Sequence, residues 1–249
     1  MTAGPRTPVH RLVPGPSAAG GPADGAGVGP ADGAGVGAGV GVGVGIGVGH
    51  GGVVIGFRAD GEPVAVQLFR NTPTHVVTVC SGYTARLLAF RALAVGAAVQ
   101  VTAGAAASTA GWSALLDLPP TGSTVLTRPA DPLPAATARR PVLRCEGVPP
   151  EAATPWPGLA AWQTRVVVPS SVPPSTIAGL AAFDLVLLRR VAPDTIYPVQ
   201  LAFNLPTPVA EQLRALPHDG LVAIADGRAT VLSLGLTAIE LSVLGAPSA

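Results

Sequence analysis

The residues best placed to do chemistry are Cys80-Ser81-Gly82-Tyr83-Thr84. They lie between an apolar run with β-branched residues, His75–Val79, and a helix expected from about Thr84 to Val95. Ligands of open α/β sheets collect at the carboxyl ends of strands, and the free N–H groups of a helix N-terminus attract anions. The loop therefore stands where a phosphate-binding loop would stand. It has one glycine and no lysine, and it is shorter than GxxxxGK[ST]. The carboxylate that would complete such a site should end a hydrophobic strand, yet DLVLL runs into Arg189-Arg190. ATP hydrolysis by that machinery is not expected. A weaker phosphate or nucleotide contact stays open through the backbone amides of Ser81, Gly82 and Tyr83, with Thr84 beside them. A tight structural turn is the simpler reading.

A helix dipole lowers a thiol pKa, so Cys80 or Ser81 invites comparison with an activated nucleophile. A base is then needed. His75 lies five residues away along an extended strand, and His218-Asp219 would have to be brought near by folding, without a G-x-S-x-G elbow to support it. Cys80 and Cys145 are too few for a disulfide scaffold and read as buried apolar residues. No His, Asp or Glu cluster has metal-ligand spacing, so neither metal nor cofactor is expected. Arg189 and Arg190 follow a buried strand, and Arg139 and Arg140 sit in a proline-rich connector; most such pairs are solvated element ends, although they can meet an acidic partner. Trp112 and Trp162 read as core. Trp156, between two prolines, reads as an exposed contact point.

The chain has 249 residues, and its 15 basic side chains are all arginines set against 14 acids. The absence of lysine excludes a P-loop lysine, a pyridoxal Schiff base and the lysine of a protein kinase. With a net charge of +1 and 4% aromatic residues, the chain lacks the basic field and stacking surface of nucleic-acid binding. Glycine is concentrated in the head: 18 of 32 fall in residues 1–52. There PADGAGVG at 22–29 repeats unchanged at 30–37 and decays into Gly-Val alternation. Ala34 to Gly56 is long enough to span a membrane, but alternate glycines disfavour a helix there. Residues 1–52 are therefore expected to be a disordered low-complexity segment and 53–245 an α/β domain.

The elements that must position the loop can be read along that domain. VVIGF, Asp60-Gly61 and PVAVQLF predict a hairpin with a D-G turn. Strand 75–79, the loop, its helix and the strand Ala98–Thr102 predict a parallel βαβ unit with a right-handed crossover. A helix is expected at Thr109–Leu116, strand-like VLTR and PVLRC follow, and PPEAATPWPG reads as a surface loop. Then come strand Gln163–Val168, a helix near Ser175–Ala182, strand Asp184–Leu188, and helices at Pro193–Phe203 and Pro208–Leu216. GLVAIA, Asp226-Gly227 and RATVLSL predict a closing hairpin, and Thr237 with Glu240 three residues on predicts a capping box. The expected fold class is α/β: a single mixed, largely parallel sheet flanked by helices, degenerate nucleotide-binding-like, with terminal β-hairpins.

One set of segments goes beyond pattern. LFR-x-x-PT, LLAFRALAVGA, AWQTRVVV, FDLVLLRR and VAIADGRATVLSLG together span nearly all of residues 53–245. They resemble actinobacterial proteins associated with type VII (ESX) secretion, of the EccE class. The resemblance implies a non-catalytic, structural component acting through protein contacts, with other type VII subunits and the secretion ATPase as partners. It implies a cytoplasmic location, peripheral to the membrane complex, with Trp156, Arg189 and Arg190 as contact residues. This chain departs from the class in having only the Gly-Val tract where transmembrane segments are usual. A nucleotide-binding or nucleotide-sensing domain that does not hydrolyse, built on Ser81, Gly82, Tyr83 and Thr84, is the alternative.

Overall fold

The computed structural model describes residues 13–14, 52–79, 82–102, 109–116, 124–127 and 134–247. Most of the Gly-rich head, and with it most of the expected disordered segment, lies outside the described residues.

The described strands form one mixed sheet. In chain order they are β1 (Val13–Pro14), β2 (Gly52–Phe57), β3 (Pro63–Gln67), β4 (Thr74–Val79), β5 (Ala98–Thr102), β6 (Thr124–Thr127), β7 (Val142–Val148), β8 (Gln163–Pro169), β9 (Leu185–Leu188), β10 (Gly220–Ala225) and β11 (Arg228–Ser233). Their spatial order is β1-β3-β2-β11-β10-β9-β4-β8-β7-β5-β6. The run from β9 to β6 is parallel, and the other half is antiparallel. β4 and β5 are parallel as the βαβ pattern predicts, but β8 and β7 lie between them. β4 is thus an interior strand, and its apolar side chains reach both faces, as parallel sheets require.

The helices are α1 (Gly82–Ala94), α2 (Thr109–Leu116), α3 (Ile177–Leu180), α4 (Pro193–Phe203), α5 (Thr207–Arg214) and α6 (Ala238–Leu244). Strand alternation divides the core into two layers. Val76, Leu185, Leu187, Leu221 and Ala223 pack beneath α1, α2 and α6. Val77, Val79, Val186, Leu188, Val222 and Ile224 pack beneath α3, α4 and α5. In α1 the fully buried Leu87 and Leu88 contribute about 2 kcal/mol each by burial.

The local signals translate directly. Asp226 and Gly227 both take positive φ, 50° and 69°, which a two-residue hairpin turn demands of its central residues. Gly56 lets two strands meet, because a Cβ there would lie 2.4 Å from the Ser233 carbonyl oxygen. Thr237 Oγ1 accepts from the Glu240 N–H at 3.2 Å, and Glu240 Oε2 accepts from the Thr237 N–H at 2.8 Å, completing the capping box. Two expectations change. α1 begins at Gly82, so the connection from β4 is only Cys80-Ser81, and the helix near 175–182 is a 3₁₀ turn followed by the four residues of α3. Residues 52–56 of the uncharged stretch belong to β2, and among the described residues no helix is long and apolar enough to cross a membrane.

Candidate functional site

The site begins where β4 delivers the chain to α1. Gly82 is exposed and opens the helix, while Tyr83 and Thr84 are buried in its first turn. Ser81 and Cys80 lie outside the described residues, so the expected Ser81 contact and the Cys80 nucleophile are not placed. Gly82-Tyr83-Thr84 forms the start of the helix, with a tyrosine and no lysine between its glycine and threonine. Two guanidiniums stand over the Tyr83 ring, that of Arg86 at 5.5 Å from its centroid and that of Arg189 at 5.9 Å. Its hydroxyl donates to the Gly245 carbonyl at 3.1 Å. Burial pushes the phenol pKa up and Glu240 adds to the rise against the opposing arginines, so the hydroxyl keeps the proton it donates.

Arg189 corrects the sequence reading. It was expected to be a solvated strand end and a partner contact, yet it is 7% exposed at the end of β9. Pairing of β4 with β9 sets Val79 beside Leu188 and so brings Arg189 to the head of α1. One of its N–H groups donates to the His218 carbonyl. Burial pulls its pKa down, with Tyr83 and Asp219 opposing. Arg190, the next residue, is exposed as expected. The arrangement gathers two guanidiniums and a helix N-terminus at the carboxyl end of an interior parallel strand. Those are groups that hold an oxyanion.

The carboxylate sought at the end of DLVLL is elsewhere. Glu146 in β7 is the sole acid within the six parallel strands, two strands from β4 across β8. Arg144 and Glu146 share one face of β7, and β8 places Arg165 opposite Arg144. Arg165 Nε donates to Glu146 Oε2 at 2.7 Å, and Arg144 Nε lies 2.6 Å from Oε1. With a guanidinium on each oxygen, this carboxylate is a poor ligand for a cation. The R-x-E spacing in PVLRCEGV signalled a shared strand face, but only strand order reveals the second arginine. Cys145, on the opposite face, is fully buried; burial first, and Glu146 second, push its thiol pKa far up, which makes it inert.

Trp156 was expected to be a free contact point and is only partly so. It is 37% exposed, but its ring lies 5.8 Å from the Arg144 guanidinium and its carbonyl is 2.9 Å from His75 Nε2. His75 is held at the other end of β4 from the loop. Its N–H donates to Asp184 Oδ2 at 2.7 Å, and Asp184 also pairs with Arg70 at 3.5 Å. This cluster clamps the amino ends of β4 and β9 together.

At the far end of α1 stands an ion pair that sequence reasoning missed. Arg91 Nε donates to Glu240 Oε1 at 2.5 Å, Nη1 to the Val54 carbonyl at 3.0 Å and Nη2 to the Leu234 carbonyl at 3.1 Å. β2 and β11 share a single residue pair, Phe57 with Ser233, and beyond it the guanidinium bridges the diverging backbones. Burial pushes the Glu240 pKa up, but bonds from Arg91 and Thr237 outweigh it and hold the carboxyl below its ordinary value. A cavity of about 310 Å³ opens beside this pair, lined by Val53, Phe57, Phe90, Ala94, Val95 and Ile239. It lies at the opposite end of α1 from the Tyr83 cluster, and its ionic groups bond to each other and to backbone.

No protein-family model matches the chain, and no curated protein matches it. Solved structures do. VirB4 of Thermoanaerobacter pseudethanolicus is similar with a TM-score of 0.51 at 10% identity, over 76% of this chain and 98% of that one. The pCW3 conjugation coupling protein TcpA, bound to ATPγS, scores 0.47 at 8% identity, over 74% of this chain and 65% of that one. The genome packaging NTPase B204 of Sulfolobus turreted icosahedral virus 2, in complex with AMP, scores 0.40 at 8% identity, over 67% and 98%. The fold shared with VirB4 overturns the expectation of an EccE-like structural component of type VII secretion. The chain is an α/β protein with a mixed, partly parallel sheet that resembles P-loop ATPase-like folds.

Proposed function

We propose that this chain is a P-loop-like α/β domain that binds or senses a nucleotide without hydrolysing it. The observation that carries the reading is the cluster at the head of α1. Arg86 and Arg189 stand over the Tyr83 ring and supply positive charge from the helix and from the end of β9. Phosphate oxygens would meet these guanidiniums and the first N–H groups of α1, where the helix dipole also favours negative charge. A hydrolytic site needs more: a cation to bridge the phosphates and an acid to hold it. The sequence has no lysine, and Glu146 is paired with two arginines. That inventory supports a reading of binding without turnover.

The test is unfolding of the full chain against ATPγS, ADP and inorganic phosphate, with a parallel assay for phosphate release from ATP. A ligand at one hundred times its dissociation constant raises stability by about 2.7 kcal/mol, a rise clearly resolved in thermal unfolding. The expected result is stabilisation by nucleotide with no phosphate release. No shift at millimolar nucleotide would sink the reading, and steady release of phosphate would refute its non-hydrolytic half.

A further inference from the structure

The cavity at the tail of α1 is held open by its own walls. The Phe57 ring sits directly on Gly235, where a Cβ would lie 2.1 Å from ring atom Cδ2, so backbone fixes that wall. Opposite it, the Arg91 guanidinium spans the gap between β2 and the segment after β11, donating to the Val54 and Leu234 carbonyls at 3.0 and 3.1 Å. Collapse would break those bonds and strand the groups that make them. The chemistry of the walls then defines an occupant. Val53, Phe57, Phe90, Val95 and Ile239 present hydrocarbon. The charged groups are already satisfied: Glu240 Oε1 accepts from Arg91 Nε at 2.5 Å, and Oε2 from Arg91 Nη2 at 3.1 Å and the Thr237 N–H at 2.8 Å. A charged ligand would lose its hydration and meet no free counter-charge.

We propose that this cavity binds an uncharged aromatic molecule of about two fused rings. Its volume, about 310 Å³, is roughly twice the ~150 Å³ that suffices for benzene. Two phenylalanines among its walls suit a flat aromatic guest, which also loses little freedom on binding. Ile239 at the rim is 67% exposed, an apolar side chain that the guest covers. The site lies at the opposite end of α1 from the Tyr83 cluster and is independent of the nucleotide reading. An occupant bridges β2, α1 and α6 beside the place where β2 and β11 share one residue pair.

Titration calorimetry on the full chain tests this with 1-naphthol, 1-naphthoate and 1-octanol. The expected result is saturable binding of one 1-naphthol per chain, with the other two probes at least tenfold weaker. Ala94→Trp, at an exposed lining position in the last turn of α1, puts an indole into the cavity and should weaken 1-naphthol at least tenfold. Ile239→Ala should weaken it several-fold. Leu201→Ala, which trims a similarly exposed side chain on α4, should leave it unchanged. Both positions are on the surface, so these two variants keep the fold. Absence of saturable 1-naphthol binding, or binding indifferent to Ala94→Trp and Ile239→Ala, would overturn the site. Equal affinity for 1-naphthoate refutes the uncharged class, and equal affinity for 1-octanol the aromatic one. A dimer in sedimentation that Ile239→Asp dissociates would make a second copy the occupant and sink the small-molecule proposal.

Discussion

The two ends of α1 use arginine in opposite ways. At the tail, Arg91 meets a carboxylate and two backbone carbonyls within 2.5 to 3.1 Å, and its partner Glu240 is 4% exposed. At the head, Arg86 and Arg189 approach an aromatic ring at 5.5 and 5.9 Å, and Arg189 also donates to the His218 carbonyl. A guanidinium with close acceptors on several sides is structural, because moving it leaves a buried carboxylate and carbonyls unsatisfied. A guanidinium against a ring face can exchange that contact for an oxyanion. The difference separates the end of α1 that ties β2, β11 and α6 together from the end at which nucleotide binding is proposed.

The comparison is broken most directly at the tail. Arg91→Ala strands Glu240 and opens the gap between β2 and β11, and is expected to cost about 3 kcal/mol in urea unfolding. The same pair sets a pH dependence. Because the folded-state pKa of Glu240 is depressed, its contribution is present above the unfolded value of about 4.3 and is lost as pH falls through the folded value. Unfolding measured from pH 7 down to pH 3 should show that loss, and Glu240→Gln should flatten it.

Arg189→Ala sharpens the other side. It should weaken nucleotide binding roughly tenfold in calorimetry, the loss of one charge-assisted contact. If Arg189→Ala destabilises as much as Arg91→Ala and leaves affinity unchanged, the two ends do not differ in kind. Thr237→Ala removes the capping bond of α6 and should cost about 1 kcal/mol in thermal unfolding without touching affinity. The smallest effect is expected for Arg86→Ala, about threefold in affinity, because Arg86 is half-buried and a partly solvated charge contributes less.

Much of the fold was legible because its signals are short in range. The D-G turns, the capping box, Pro208 at the start of α5 and the strand-loop-helix around Gly82 each depend on bonds within about four residues. The helix α2 stands at its expected bounds for the same reason. The site was legible in part: Gly82, Tyr83 and Thr84 were singled out, but as backbone donors in a loop, whereas Tyr83 acts through its ring and hydroxyl from within α1. Arg189 was read as exposed because a charge after an apolar strand most often is. Nothing in DLVLLRR says that β9 will lie against β4 and turn its first arginine toward a tyrosine more than one hundred residues earlier.

Sequence alone determined the absence of lysine, and with it the loss of the phosphate-bridging ammonium, together with the local elements and the apolar strands of a two-faced sheet. Tertiary structure decided which charges meet. It set Arg165 beside Arg144 on Glu146, carried Arg91 to a carboxylate 149 residues away, and brought Arg189 to the head of α1. The physical reason is that turns and caps are settled by neighbours in the chain. The lateral order of strands is settled by burying both faces of the sheet at once, and no short stretch of residues encodes it.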